Sequence, residues 1–267
     1  MTTDTPLETG YGPASPPGDN LVNDFQQESA RSFASFGNAR GDRVHRIEGL
    51  VSMVDAGSPL PFINRAVLEQ PVDDLERVVA ELRAFYGAGT GGPFLFDSAW
   101  PTPDLRRFGF QLMGHPPLMV RQPNLPLPTA PDALRVVHAT DDATATDLER
   151  TLVEGYPVPM MQPFEQVQMF TPGALTAPGW KHFVGYEGDR PVAAGSSYVG
   201  DRLLRVDNIA TLADTRGRGY GIAITAATIA VDVSKPATLI ASDLGRPIYE
   251  RLGFVAMTRS SYWIGTR

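Results

Sequence analysis

The chain has 267 residues and no cysteine. That excludes disulfides, zinc–thiolate centres and a cysteine nucleophile. Lysine is nearly absent too: Lys181 and Lys235 stand among 23 basic residues, the rest being arginine. No stretch approaches the ~18 apolar residues of a membrane span, so no membrane partner is expected. The opening Met1-Thr-Thr-Asp-Thr-Pro6 has no basic stretch leading into an apolar one. No signal peptide is therefore expected, and the cytoplasm is the expected compartment. Positive charge is scarce as well. The net charge is −7, and no Lys/Arg cluster occurs outside one short loop, so nucleic acid is not an expected partner. The four histidines, His45, His115, His138 and His182, show no H-x-x-x-H or H-x-E spacing, and no metal site is expected. Ser196-Ser197 and Ser260-Ser261 lack the G-x-S-x-G context of a hydrolase nucleophile.

Glycine and proline are plentiful instead, at 26 and 24 residues, and they divide the chain. The length suits two domains. Residues 1–20 read as a disordered tail of Pro, Gly, Ser, Thr and acid. A first unit spans 21–122. Its helix 24–36 is expected to turn Phe25, Phe33 and Phe36 toward a core. Strands are expected at 44–54, 61–68, 93–96 and 118–121, with a short helix at 103–108. Helix 72–86 keeps Leu75, Val78, Val79, Leu82 and Phe85 on one face. Residues 123–131 form a proline-rich linker. The second unit, 132–267, reads as strand 134–138, a helix capped by Asp141, a helix 163–170 and a hairpin of 181–186 with 192–199. Strand 203–212, a glycine loop, helix 222–233, strand 238–242, helix 247–252 and strand 255–264 follow.

The loop Arg216-Gly217-Arg218-Gly219-Tyr220-Gly221 between a strand and a helix is built to meet phosphate. The first N–H groups of a helix have no internal partner, and glycine lets the backbone approach closely. It is not a P-loop, which needs G-x-x-x-x-G-K-[ST]. It is not a dinucleotide fingerprint either, because Ile222 stands where G-x-G-x-x-G requires its third glycine.

What remains is R-x-x-G-x-G, followed by Tyr249-Glu-Arg-Leu-Gly253-Phe254. In this order, with a strand between them, the two motifs resemble the signatures of the Gcn5-related N-acetyltransferases. The likeness covers roughly residues 133–267. It implies an α/β (α+β) fold of two such domains, each a mixed, mostly antiparallel sheet flanked by helices. It also implies a splayed central strand pair in the C-terminal one. The implied co-substrate is acetyl-CoA, with no metal. Its pantetheine arm would pair with Ile209, Ala210 and Thr211. Its pyrophosphate would lie on the N–H groups of Gly217, Arg218, Gly219, Tyr220, Gly221 and Ile222, with Arg216 and Arg218 adding charge. Ser242 stands where many relatives carry an asparagine that touches the pantetheine. Tyr249 matches the family's general acid. Asp207 occupies a position that carries a base in some members, and strand alternation would put it on the face of Ile209. The reading of Asp207 as a mere partner of Arg205, or as the cap of a bulge, stays open.

The two units also align with each other at a constant offset of 144 residues. Asn64, Ala66 and Leu68 then meet Asn208, Ala210 and Leu212, and Arg107-Phe108-Gly109-Phe110 meets Arg251-Leu252-Gly253-Phe254. This reads as an internal duplication. The first copy has Val72, Asp73, Leu75 and Arg77 in place of Arg216, Gly217, Gly219 and Gly221, and Leu105 in place of Tyr249. It is expected to bind no CoA and to serve as a wall. The resemblance implies transfer of an acetyl group to a primary amine of a small molecule, by a monomer or homodimer. Acetylation of a peptide or protein amine, a preference for longer acyl chains, and a non-catalytic acyl-CoA-binding protein are the alternatives. Met160, Met161, Phe164, Met169 and Phe170 offer core packing or an apolar lip for the amine.

Overall fold

A computed structural model describes residues 21–156, 158–165 and 169–266, apart from the Met160 side chain. The tail expected at 1–20 and part of the helix expected at 163–170 lie outside the described residues. The elements run α1 (Leu21–Arg40), β1 (Arg43–Ile47), β2 (Val51–Asp55), β3 (Arg65–Leu68), α2 (Leu75–Gly87), β4 (Phe94–Ser98), β5 (Gln111–Gly114) and β6 (Pro117–Arg121). After the linker come β7 (Leu134–His138), α3 (Asp142–Gly155), α4 (Pro172–Leu175), β8 (Trp180–Glu187), β9 (Arg190–Val199), β10 (Leu204–Thr211), α5 (Tyr220–Ile229), β11 (Ala237–Ile240), α6 (Arg246–Arg251), β12 (Phe254–Arg259) and β13 (Ser261–Gly265).

The strands form two mixed sheets, ordered β1-β2-β3-β4-β13-β5 and β12-β6-β11-β10-β9-β8-β7. Only β3/β4 and β10/β11 are parallel pairs. The α/β architecture of two mixed sheets flanked by helices is therefore as expected, but the strand assignment is not. β6, read from sequence as the last strand of the first unit, lies between β11 and β12 of the second sheet. β13 lies between β4 and β5 of the first. The single strand expected at 255–264 is broken at Ser260, and each piece goes to a different sheet. An alternating apolar pattern specifies that a strand is half-buried, not which sheet buries it.

Helix α1 binds both sheets. Gln26 and Gln27 donate to the carbonyls of Leu68 and Glu69. Trp180 Nε1 donates to Ser32 O at 3.0 Å, and Arg40 donates to Met169 O at 2.8 Å. Buried Glu28 accepts the N–H groups of Arg202 and Leu203. Of the three α1 phenylalanines, Phe25 is buried among Ala99, Leu118 and Leu203; Phe36 packs against the core at Phe170 and Trp180 while also bordering a cavity, and Phe33 borders that cavity.

Helix α2 packs as its spacing requires, with Leu75, Val78, Val79 and Leu82 buried. Half-buried Phe85 packs against the same core, and Tyr86 beside it is wholly buried, its hydroxyl donating to Val54 O. The strand expected at 44–54 is split into β1 and β2 by a turn at Gly49, φ 69°, and the short helix expected at 103–108 is a 3-10 turn, Leu105–Phe108. Around 163–170 the described residues form a 3-10 turn at Pro159–Met161 and then α4. The buried Glu149 side chain accepts the N–H of Met169 and Phe170 there.

Candidate functional site

The two parallel strand pairs are built differently. In the first sheet β3 and β4 stay in register through Arg65–Leu95, Ala66–Phe96 and Val67–Asp97. In the second, β10 and β11 meet only at Leu204–Ala237 and Arg205–Thr238. Beyond Arg205 they diverge, and the β10 edge from Asp207 to Thr211 opens onto a cavity of about 1070 Å³.

The glycine loop closes one end of that cavity. Gly217 and Gly219 have φ of 80° and 83°, the left-handed region that only glycine enters without strain. They aim α5 so that its first turn faces the opening. No side chain caps this helix. Its first internal bond is Ala223 N–H to Gly219 O. The N–H groups of Gly219, Tyr220, Gly221 and Ile222 thus have no protein partner among the described residues. Uncapped donors at the positive end of a helix suit an anion. A Cβ on Gly221 would stand 3.3 Å from Thr211 Oγ1 and 3.1 Å from Ile248 Cδ1, so a side chain there would narrow the groove.

The arginines of the loop have partners already. Arg216 donates to Thr211 O at 3.2 Å and to Gly155 O at 2.9 Å, tying β10 to the end of α3. Arg218 pairs with Glu187 at 2.9 Å, and Glu187 also accepts the Tyr220 hydroxyl. Arg218 is not among the groups that line the cavity, whereas Arg216 is. The Ser242 hydroxyl accepts the N–H of Gly245 at 3.1 Å and starts the turn into α6.

Tyr249, on α6, is buried at 7% exposure beside Phe254 and borders the cavity. Its hydroxyl makes no hydrogen bond among the described residues. Burial, reinforced by the negative charge of Asp207, raises its pKa above that of a free phenol, so it stays protonated. Asp207 also borders the cavity. Its Oδ2 accepts from Arg205 Nη2 at 2.9 Å, and its Oδ1 accepts the N–H of Asn208.

Asn208 explains a departure from simple alternation. Its φ is 56°, and the β9/β10 register shifts there. Asn enters this conformation more readily than most residues. The bulge turns Ile209 toward Ala223 and Ile224 of α5, while Ala210 packs with Leu148 and Leu152 of α3. Asp207 stays paired with Arg205, and Asp207 and Ile209 both border the cavity on either side of the register shift.

Three groups in the cavity wall carried no motif: Tyr156 at the end of α3, Tyr262 on the exchanged strand β13, and Arg65 on β3. Burial raises Tyr156 well above an ordinary phenol. It lifts Tyr262 to about 12, against the lowering effect of Arg65. The offset alignment could have flagged Arg65, which stands where the second copy has apolar Ile209.

The first copy offers no such site. The N-terminus of α2 is capped by the Asp74 carboxylate, which accepts from Arg77 N–H, and Leu105 is wholly buried.

Comparison with solved structures agrees with this geometry. A GCN5-related N-acetyltransferase from Kribbella flavida superposes with a TM-score of 0.66 at 18% identity, covering 92% of this chain and 96% of that one. The chain has the fold of the Gcn5-related N-acetyltransferases. A GCN5-related N-acetyltransferase from Sphaerobacter thermophilus superposes with a TM-score of 0.50 at 12% identity, over 92% and 93% of the two chains. A tandem GNAT protein from the clavulanic acid biosynthesis pathway does so with a TM-score of 0.50 at 11% identity, over 92% and 96%. No family model and no curated protein matches the sequence. Within this acetyltransferase fold, the opened strand pair and bare helix start occur in the second sheet alone. Among the described residues no helix is long and apolar enough to cross a membrane.

Proposed function

We propose that the protein is an N-acetyltransferase that moves an acetyl group from acetyl-CoA to a primary amine of a small molecule, with a single site in its second half. One observation carries this reading. The free edge of β10, the uncapped start of α5 and the protonated hydroxyl of Tyr249 all face one cavity.

Acetyl-CoA supplies an activated acetyl thioester. The N–H groups from Gly217 to Ile222 hold its pyrophosphate, with Arg216 and Arg218 nearby, and the backbone of Ile209, Ala210 and Thr211 pairs with its pantetheine arm as an added strand. Ser242 lies along the same groove. Asp207 takes a proton from the ammonium form of the acceptor, directly or through water. The neutral nitrogen forms the new C–N bond as the C–S bond breaks, and the extra proton left on that nitrogen passes to water. An N–H of the opened β10 edge stabilises negative charge growing on the carbonyl oxygen. Tyr249 gives its proton to the departing sulfur and regains one from solvent. A small-molecule acceptor is favoured over a peptide because α1 and the first sheet wall off the far end of the cavity.

Two measurements test this. Acetyl-CoA is expected to bind with micromolar affinity by calorimetry, and Gly221→Glu is expected to abolish that binding while the melting temperature shows the variant folded. Tyr249→Phe is expected to slow amine-dependent thiol release by about 10²-fold or more with little change in acetyl-CoA affinity. Absence of acetyl-CoA binding to the wild type sinks the reading. An unchanged rate in Tyr249→Phe removes that residue from the chemistry. Binding without turnover on any amine leaves an acyl-CoA-binding protein.

A further inference from the structure

The far end of the cavity takes residues from both halves of the chain. Arg65 stands there, buried at 8% exposure. Its Nη2 donates to the Asp97 carboxylate at 2.7 Å and to the Tyr262 hydroxyl at 2.9 Å. Its Nε is buried with no partner, and its Nη1 makes no hydrogen bond among the described residues. The guanidinium lies 4.2 Å from the centre of the Phe33 ring, a cation–π contact that favours this position. A buried guanidinium with unused donors beside a cavity lacks an oxygen acceptor.

Charge points the same way. Arg40, Arg65, Arg205 and Arg259 border this chamber, against Asp42 and Asp207, with Asp97 behind Arg65. One positive charge is in excess. A bare ammonium ion would enter against it, whereas an amine that brings its own carboxylate would not. Arg65 and Asp207 are also close enough for their charges to interact, so the two ends of one small zwitterion can meet both. The remaining wall is aromatic and thioether: Phe36, Phe62, Phe170, Trp180, Met161 and Met169. These surfaces receive a flat apolar side chain.

We propose that the acceptor is an α-amino acid with an aromatic or similarly large apolar side chain, its carboxylate on Arg65 and its amine beside Asp207 and Tyr249. This rests on the acetyl-transfer reading above. The first half then supplies the carboxylate-binding arginine, with Tyr262 of the exchanged strand holding Arg65 in place.

The test compares thiol release by the full-length protein with acetyl-CoA and L-phenylalanine, phenethylamine or L-alanine. Phenylalanine is expected to exceed both others at least tenfold in kcat/KM; phenethylamine equal to or better than phenylalanine overturns the proposal. Arg65→Met is expected to lower kcat/KM for phenylalanine, mainly through KM, at least tenfold more than for phenethylamine; equal losses overturn it. Because that change strands buried Asp97, the double variant Arg65→Met/Asp97→Asn is run beside it. Calorimetry with 3-phenylpropionate and 2-phenylethanol needs neither turnover nor acetyl-CoA. Tighter binding of the acid by tenfold or more supports the assignment, and equal or absent binding overturns it. A protein that binds the acid but not acetyl-CoA refutes the acetyl-transfer reading and keeps the carboxylate site.

Discussion

Single residues carry the sharpest chemistry of this fold. His182 is wholly buried against Trp180, its Nδ1 2.8 Å from Ser196 Oγ. Burial, with smaller contributions from the charges of His138 and Lys181, depresses it to about 4. An unfolded histidine titrates near 6.5. Between these values the unfolded chain binds the extra proton, so His182 favours the fold fully above about pH 6.5 and loses that contribution as pH falls to about 4. The loss amounts to up to about 3 kcal/mol. Denaturant titrations at several pH values are expected to show this slope in the wild type and a flatter one in His182→Phe, even though the variant also gives up the Ser196 contact. Asn208 tests backbone strain instead. A β-branched residue at φ 56° is disfavoured by about 1–2 kcal/mol. Asn208→Val is therefore expected to lower stability by about that much, and Asn208→Gly by less.

At the scale of elements, two helices at matching places in the two halves have opposite starts. α2 begins with the Asp74 carboxylate on the N–H of Arg77; α5 begins bare. Asp74→Ala is expected to cost about 1 kcal/mol in a chemical melt, whereas removing a side chain from the start of α5 has nothing to uncap. This contrast was legible in the sequence because glycine against aspartate is a local choice with a local consequence. So were α2 itself, the β8/β9 hairpin at Gly188 and the divergence of β10 from β11, each set by near neighbours or implied by the motif. The bulge at Asn208 was legible only as one of the readings left open for Asp207, since alternation alone does not place a register shift against β9. The cavity wall was not legible. Phe33 has the spacing of a core residue, and only the placement of α1 across both sheets leaves it lining space. Arg65 and Tyr262 lie 197 positions apart, and no periodicity links them.

For the whole molecule, the strand exchange sets how the parts depend on one another. Residues 132–267 alone would lack β6 and leave a gap between β11 and β12. Such a fragment is expected to be aggregated or molten by near-ultraviolet circular dichroism and gel filtration. The intact chain is expected to unfold in one cooperative transition by calorimetry. A well-folded fragment, or two separate transitions, would contradict this. A further consequence concerns synthesis. Proteins of two domains commonly fold the first while the second is still being made. Here the first sheet is completed between β4 and β5 by Ser261–Gly265, so that sheet stays open until those residues have been made. Meanwhile β4 and β5 present unpaired edges, the kind of surface that joins strands from other molecules. Growth temperature and expression rate should therefore govern the yield of this protein more strongly than the stability of the finished fold does.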